Sequence, residues 1–438
     1  MSQVITISDN NQQGLKLDDG MCLDNLKKLS ERPLCELDLE EHPHLLVFPQ
    51  DFKTQGDDIG KERIFTVEGN LLKTGNIMGF VGYRGTQVRI HSRFANDDDR
   101  DYFLHYMLQR VFAINLFDLK YDSDSESVFD FLVYLFPTFL KRALRQGLYK
   151  EYQSRQYNDA NIRGRIDVSR HIQKNIPFAG KVAYSTREYV ADNHVTQLIR
   201  HTIEYIASHP YCGNILANDE ETKEAVGIIN AATPSYNRHD RHKVIGQNLR
   251  PVSHPYFGDY RPLQRLCLQI LRHEELKYGS DDKQIYGVLF DGAWLWEEYI
   301  NTILGKEGFE HPRNKKGEGR KYLFVGNLGA CYPDFYSKEM VLDAKYKGYS
   351  EWKDVQNADL FQVIAYMHVL GLNRGGFLVP KRGDNKLFPR DLNGHGGQLS
   401  VFGMNVSIMS ESYRDYVVAM QKEESVLLDE IASCISKS

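Results

Sequence analysis

Two aspartates and one lysine in the last third of the chain have the residue types and the spacing of a site for metal-assisted hydrolysis. Asp334 follows a proline at the start of one predicted strand, and Asp343 and Lys345 lie two residues apart on the next strand. Because side chains alternate along a strand, Asp343 and Lys345 share a face. A short turn at 337–339 returns the chain, so we expect Asp334 to arrive beside them.

Two converging carboxylates form a hard-oxygen site that suits Mg²⁺, with Mn²⁺ as a substitute ion. Such an ion polarises a phosphodiester and lowers the pKa of an attacking water molecule. Lys345 beside it could hold or deprotonate that water and stabilise a pentavalent phosphorane. A helix predicted upstream, GAWLWEEYINTIL, carries Glu297 and Glu298, and either could add a third carboxylate.

The Asp-x-Lys triplet has a simpler interpretation, because exposed strands often carry Asp and Lys as a solubilising pair. The context favours a functional site. Met340, Val341 and Leu342 form an apolar lead-in that predicts a buried strand. A buried strand that ends in Asp-x-Lys-x-Lys needs partners for its charges.

A helix predicted downstream, DLFQVIAYMHVLGL, places Gln362 and Tyr366 four residues apart on one face. Three roles remain open for this pair. It could contact a DNA backbone, it could brace Lys345, or the helix could simply pack on the sheet.

The formal net charge is −5, from 54 basic and 59 acidic residues, which indicates no general affinity for nucleic acid. Two segments are locally basic. Residues 141–170 carry a charge of +5, and residues 313–321 carry +4. The second segment predicts DNA contacts from Arg313, Lys315, Lys316, Arg320 and Lys321. Affinity for DNA is therefore expected to be local or to be supplied by a partner.

The elements that position these residues predict a multidomain protein of the α+β or α/β class. Residues 1–100 alternate short apolar runs with turns, which indicates a β-rich domain, a small barrel or sandwich. Residues 101–275 have mostly helical spacing and contain the basic segment 141–170. Residues 276–438 alternate strands and helices and contain the candidate site.

Several other classes are excluded. The glycines between 75 and 85 lack a following Lys-Ser or Lys-Thr, so no Walker A motif is present and any nucleotide-driven motor would be a separate protein. The longest apolar stretch, residues 128–140, is too short and interrupted for a membrane helix. Six widely spaced cysteines show no zinc-binding pattern and indicate reduced thiols in a cytoplasmic protein.

The order of these motifs resembles the PD-D/E-x-K nuclease superfamily. More narrowly, the chain resembles the McrC family, the nuclease subunits of McrBC modification-dependent restriction systems. The matching pieces span roughly residues 140–380 and are LRQGLYKEY, NIRGRIDVSRHI, Asp192-Asn193 in REYVADNHVTQLI, LFDGAWLWEEYI, YPDFY with VLDAKYK, and DLFQVIAYMHVLG with GFLVP.

The resemblance implies a restriction-endonuclease-like α/β core in residues 276–438 and a role for each matching residue. Asp334 and Asp343 would be metal-binding carboxylates, Glu297 rather than Glu298 a third ligand, and Lys345 the catalytic lysine. Arg163 and Arg165 match an Arg-Gly-Arg segment expected to contact DNA or a partner.

The resemblance also implies a DNA endonuclease that works with a McrB-like AAA+ GTPase ring, onto which the N-terminal region would dock. Double-strand cleavage needs two active sites, so a nuclease-domain dimer is a further expectation. Two alternatives remain. One is a nuclease that acts alone or with a sequence-specific subunit. The other is a non-catalytic DNA-binding adaptor that stimulates a partner NTPase, which would be expected to have lost part of the Asp334, Asp343 and Lys345 set.

Overall fold

The structure is a computed structural model of the chain. The residues it describes are 3–17, 23–36, 45–49, 58–95, 101–112, 126–208, 213–217, 219–277, 285–312, 318–383, 385–394 and 396–436. The chain forms two compact units. The first unit combines Met1–Ser127 with Ser280–Ser438, and the second unit is Val128–Gly279.

The strands, in chain order, are β1 (Gln3–Ser8), β2 (Leu15–Lys16), β3 (Leu45–Phe48), β4 (Phe65–Glu68), β5 (Leu71–Thr74), β6 (Ile77–Tyr83), β7 (Thr86–His91), β8 (Glu151–Asp159), β9 (Arg165–Ile166), β10 (Val182–Val190), β11 (Tyr286–Asp291), β12 (Lys321–Phe324), β13 (Leu328–Cys331), β14 (Phe335–Tyr336), β15 (Val341–Ala344), β16 (Arg374–Lys381), β17 (Arg390–Asp391) and β18 (Gln398–Asn405).

The α-helices are α1 (Leu23–Leu29), α2 (Tyr102–Phe112), α3 (Glu126–Arg145), α4 (Val168–Asn175), α5 (His194–Ser208), α6 (Glu220–Ala232), α7 (Arg241–Gln247), α8 (Tyr260–Lys277), α9 (Gly292–Leu304), α10 (Asn357–Leu370) and α11 (Tyr413–Ser436). The mixed α/β character predicted from the sequence is confirmed. Helix α3 continues through Pro137. No helix in the described part of the chain is long and apolar enough to cross a membrane.

The N-terminal strands form an open mixed sheet of order β1-β7-β6-β11-β3, and β2, β5 and β4 form a second small sheet. Strand β11, from residues 286–291, lies between β6 and β3. Its buried residues Val288, Leu289 and Phe290 explain this placement, because a strand apolar on both faces belongs inside a sheet. The sequence predicted a boundary between regions near residue 276. Strand β11 instead pairs with the N-terminal strands β3 and β6, so residues 280–438 belong to the same unit as residues 1–127.

The sheet that carries the candidate site has the order β14-β15-β16-β18-β17. Strands β15, β16 and β18 are parallel, and β14 pairs antiparallel with β15. Helix α10 connects β15 to β16 and buries Val363, Tyr366 and Met367 in a core with Val341 and Phe377. It ends at Gly371, whose left-handed φ of 66° is a common way to terminate a helix.

Helix α9 also packs against this sheet, and its start and orientation have identifiable causes. The Asp291 side chain caps the helix by accepting a hydrogen bond from the backbone N–H of Ala293. The buried indole N–H of Trp296 donates to the carbonyl oxygen of Leu378 on β16, at 3.1 Å. These contacts fix the start of α9 and its position against β16, and Glu297 follows Trp296 on this helix.

The second unit contains a three-stranded antiparallel sheet of order β8-β10-β9, with α4 packed on β10, and a group of helices from α5 to α8. At the end of α3, three residues of the basic segment form ion pairs with acidic residues outside it: Lys141 with Asp219, Arg142 with Asp259 and Arg145 with Glu221. The local charge of +5 is therefore partly offset by acidic side chains that lie far away in sequence.

Candidate active site

The hairpin of β14 and β15 brings Asp334, Asp343 and Lys345 together, as the strand alternation predicted. Asp343 is 1% exposed, and its Oδ2 lies 2.8 Å from Nζ of Lys345. The Asp334 carboxylate accepts a hydrogen bond from the backbone N–H of Ala344, at 2.9 Å, which holds it against the end of β15. Oδ1 of Asp343 has no hydrogen-bond partner among the described residues, whereas Oδ2 faces the Lys345 ammonium, so Oδ1 is the oxygen open to a further ligand.

The environment raises the pKa of both aspartates. Burial has the largest effect on each, and repulsion between carboxylates adds to it: Glu297 acts on Asp334, and Asp334 acts on Asp343. The pKa of Asp334 rises to about 7 and that of Asp343 to about 8. Near neutral pH the metal-free site therefore retains protons that a bound cation would displace.

Lys345 is the positive charge closest to this pair in the described structure. Burial alone would lower the pKa of Lys345, but the negative charges of Asp343, Asp334 and Asp359 outweigh that effect and raise it. Its Nζ donates to the side-chain oxygen of Gln362, at 3.0 Å. The lysine is thus held as a cation that points toward the carboxylates.

Gln362 and Tyr366 lie on α10 and join the site through Lys345. The Gln362 amide accepts from the lysine with Oε1 and donates with Nε2 to the Tyr366 hydroxyl oxygen, at 2.6 Å. Tyr366 is buried. Of the three roles that the sequence left open, these contacts favour bracing of Lys345.

Two residues that the sequence analysis did not single out also border the site. Asp359 accepts hydrogen bonds from Lys347 and Tyr349, and its Oδ1 lies 3.7 Å from Nζ of Lys345. It lies three residues before Gln362, so helical spacing could have identified it.

His311 had no such local signal. Its Nδ1–H donates to the carbonyl oxygen of Asp334, at 2.8 Å, and its ring stacks on Phe335. Its Nε2 lies 3.9 Å from Glu297 and 4.0 Å from Glu298. Burial alone would lower the pKa of His311, but the contacts with Glu298, the Asp334 carbonyl and Glu297 raise it to about 9. The imidazolium therefore offsets part of the negative charge around Asp334.

Some of these residues are oxygen donors that could hold a divalent cation. Within the described residues, no cluster of three or more His, Cys, Asp and Glu side chains has the arrangement of a complete metal site. Asp334 and Asp343 nevertheless provide two converging carboxylates, and the buried Oδ1 of Asp343 has no partner among the described residues. This donor set fits Mg²⁺, which takes one or two protein carboxylates and keeps several water molecules.

The predicted DNA-binding residues lie in three places. Arg313, Lys315 and Lys316 fall outside the described residues. Arg320 and Lys321 lie at the base of the β12–β13 hairpin, and this hairpin precedes Asp334 in the chain. Nε of Arg320 donates a hydrogen bond to the Tyr332 hydroxyl. Arg163 and Arg165 belong to the second unit and are exposed.

The glycine of the Arg-Gly-Arg segment has a structural explanation. A Cβ at Gly164 would collide with the carbonyl oxygen of Ser185 on β10. Only glycine allows the backbone to approach this closely, and it leaves the two flanking arginines exposed.

The second unit also contains a cavity of about 450 Å³, lined by residues such as Glu151, His194 and Lys243. It contains none of the predicted catalytic residues. Asp192 on its wall accepts hydrogen bonds from Gln197 and from the backbone N–H of Ser235. The Asp192-Asn193 motif therefore has a structural role at the start of α5.

Residues 72–379 match the family described as McrBC 5-methylcytosine restriction system component. This match covers more than half of the chain. No curated protein matches it.

Two solved structures are similar. One is the refined half-complex from the tetradecameric assembly of Thermococcus gammatolerans McrB AAA+ hexamers with bound McrC, with a TM-score of 0.50 and 15% identity over 96% of this chain and 100% of that chain. The other is the cryo-EM structure of the Thermococcus gammatolerans McrBC complex, with a TM-score of 0.35 and 16% identity over 69% of this chain and 88% of that chain. The first likeness shows a shared fold.

The raised pKa of Asp343 predicts a pH-dependent stability. Because the folded metal-free protein binds this proton more tightly than the unfolded chain, the stabilisation is complete below about pH 4 and is lost as the pH rises through about 8. Asp343→Asn mimics the protonated form. We expect it to raise Tm at pH 9 in EDTA by about 4 °C or more, since 1 kcal/mol shifts the Tm of a large domain by roughly 2–4 °C.

The gain should shrink as the pH falls toward 4. Asp354→Asn is the matched control, because backbone N–H groups of Glu351 and Ser350 lower the pKa of Asp354 and the same change should give no gain. A Tm for Asp343→Asn at or below the wild-type value at pH 9 would contradict this assignment.

Proposed function

This chain belongs to the McrBC 5-methylcytosine restriction system component family, and on that premise we propose that it is the McrC-type nuclease subunit of a restriction complex. In this proposal it hydrolyses DNA phosphodiesters with Mg²⁺ and works with a McrB-like AAA+ GTPase ring, which recognises and translocates the DNA. The observation that carries the proposal is the buried Asp343 with the half-buried Asp334 and Lys345 beside it.

Each residue of the site has a distinct role in this reaction. Asp334 and Asp343 would hold the cation, which supplies a polarised phosphate and a water molecule of lowered pKa. Lys345, held by Gln362, points an ammonium group at the position where negative charge develops on the phosphorus oxygens. The hydrogen bond with Tyr366 holds Gln362 in place, so Lys345 is already positioned when the reaction begins.

Glu297 is the better candidate for the third carboxylate. Both glutamates approach His311, but it is the charge of Glu297 that contributes to the raised pKa of Asp334. Glu298 acts mainly on His311, whose pKa it raises through a side-chain hydrogen bond. The imidazole of His311 in turn donates to the carbonyl oxygen of Asp334. We therefore assign Glu297 as a ligand and Glu298 as a partner of His311.

The retained Asp334, Asp343 and Lys345 set also bears on the alternatives. A non-catalytic adaptor has no need for a buried aspartate beside a second, half-buried one, because enclosing these charges costs stability without a bound cation. A nuclease that works without a motor would use the same site. The requirement for the GTPase partner is what distinguishes these two enzymes.

The catalytic assignment predicts the behaviour of two variants. With Mg²⁺, the AAA+ partner and GTP, the wild-type chain should cleave DNA. Asp343→Ala and Lys345→Ala should each reduce cleavage by at least about 100-fold, because each removes a group that stabilises charge in the transition state. Both should still co-elute with the partner in size-exclusion chromatography.

The matched control is Lys338→Ala, which removes an exposed lysine at the turn of the same hairpin and should leave the rate unchanged. Cleavage at the wild-type rate by both Asp343→Ala and Lys345→Ala would rule out this site. Cleavage by wild-type protein without the partner would favour the stand-alone nuclease.

A second pair of variants tests the two glutamates. Glu297→Gln should raise the Mg²⁺ concentration for half-maximal cleavage by about 10-fold or more, because a carboxylate that contacts the ion would be lost. Glu298→Gln makes the same chemical change one residue away and should shift it by less than about 3-fold. A Mg²⁺ titration of the cleavage rate measures both, and the reverse order would exchange the two assignments.

A further inference from the structure

The tip of the β12–β13 hairpin presents an unusual set of side chains to solvent. Val325 is completely exposed, Phe324 and Leu328 are each 66% exposed, and Leu323 is 37% exposed. Single apolar residues on a surface are ordinary, but a cluster of large ones marks an interaction site. Four such residues within six positions of one turn therefore need an explanation.

The folding of the hairpin does not require these residues. Strand pairing runs from Lys321 opposite Cys331 to Phe324 opposite Leu328. The three-residue loop turns on Gly326 and Asn327, which have φ angles of 91° and 64°. Glycine and asparagine tolerate this left-handed conformation, so they suffice to form the turn. The exposed apolar side chains beside them are therefore available to a binding partner.

The opposite end of the hairpin is basic. Arg320 is exposed beside Tyr332, and Nζ of Lys321 lies 5.0 Å from the centre of the Tyr336 ring. The hairpin therefore has an apolar tip and a cationic base. Duplex DNA has the complementary arrangement, because anionic phosphates line the groove and stacked apolar bases lie within it.

The hairpin also lies close to the candidate active site along the chain. Asp334 comes six residues after Leu328, and six extended residues span at most about 20 Å. That distance corresponds to about six base pairs of a duplex, at 3.4 Å for each. A hairpin that engages DNA would do so within about half a helical turn of the bond to be cut.

We propose that this hairpin is a DNA wedge. Phe324 and Val325 insert between two base pairs from the minor groove, and Arg320 and Lys321 contact the flanking phosphates. Apolar side chains inserted in this way unstack a base step and bend the duplex. The proposal rests on the function proposed above and adds how the nuclease unit grips and deforms its substrate.

A second copy of the chain is the other occupant that an apolar tip could have. Two hairpins packed tip to tip would bury the apolar residues but would supply no anion to Arg320 and Lys321, which lie at the far end of each hairpin. Duplex DNA supplies an apolar interior to the tip and anionic phosphates to the base. The charge distribution therefore favours the nucleic acid.

The test uses full-length protein in EDTA at low salt and duplexes with 2-aminopurine at successive positions. Wild-type protein should enhance the fluorescence at one base step about six base pairs or less from the cleavage position. The double variant Phe324→Ser with Val325→Ser should lose at least 5-fold of this enhancement and bind about 10-fold more weakly. The matched control replaces two other exposed apolar residues, Met409 and Val418, with serine and should behave as wild type.

A duplex already unstacked by a single mismatch at that step should restore cleavage by the Phe324 and Val325 double variant, because the wedge is then unnecessary. Equal enhancement in wild type and double variant would overturn the proposal. So would a wild-type dimer in analytical ultracentrifugation that the double variant converts to monomer without any loss of unstacking. If either of these results is found while the wild-type protein still cleaves DNA, the wedge proposal fails and the proposed nuclease function stands. Failure of the wild-type protein to cleave DNA with Mg²⁺, partner and GTP would refute the nuclease function instead.

Discussion

The enclosure of the Asp334 and Asp343 carboxylates beside other negative charges is the constraint around which the site is organised. Burial has the largest effect in making ionisation of both groups costly; the charge of Glu297 adds to the cost for Asp334, and the charge of Asp334 adds to it for Asp343. Lys345 and the His311 imidazolium supply the nearby positive charge. The metal-free state is therefore strained electrostatically, and a divalent cation would relieve that strain. In the proposed function, the feature that lowers stability would also create the metal site.

The remainder of the first unit fixes the position of the strand end that carries these groups. On one face, Gln362 of α10 holds Lys345. On the other face, the hydroxyl of Tyr346 lies 2.7 Å from Oγ of Ser92, and the guanidinium of Arg93 lies over its ring. Arg93 in turn pairs with the buried Asp9. The N-terminal sheet thus braces the strand end that carries Lys345.

Local sequence pattern was enough to predict the convergence of Asp334, Asp343 and Lys345, because strand alternation and a short turn are short-range properties. Gln362 and Tyr366 were found in the same way, through helical spacing. Two features depended on pairing across long separations and could not be predicted: the insertion of β11 beside the N-terminal strands, and the approach of His311 to the carbonyl of Asp334. The charge of +5 on residues 141–170 counts only the residues of that segment. In the fold, acidic side chains from distant positions partly neutralise it.

Anomalous diffraction from crystals grown with Mn²⁺ tests the central assignment most directly. Mn²⁺ takes the same carboxylate and water ligands as Mg²⁺. We predict one strong peak between the carboxylates of Asp334 and Asp343, at about 2.0–2.2 Å from an oxygen of each, and no peak there in crystals of Asp343→Asn. A well-ordered wild-type site without Mn²⁺ at saturating concentration, with Lys345 still paired to Asp343, would contradict the assignment of these aspartates as metal ligands.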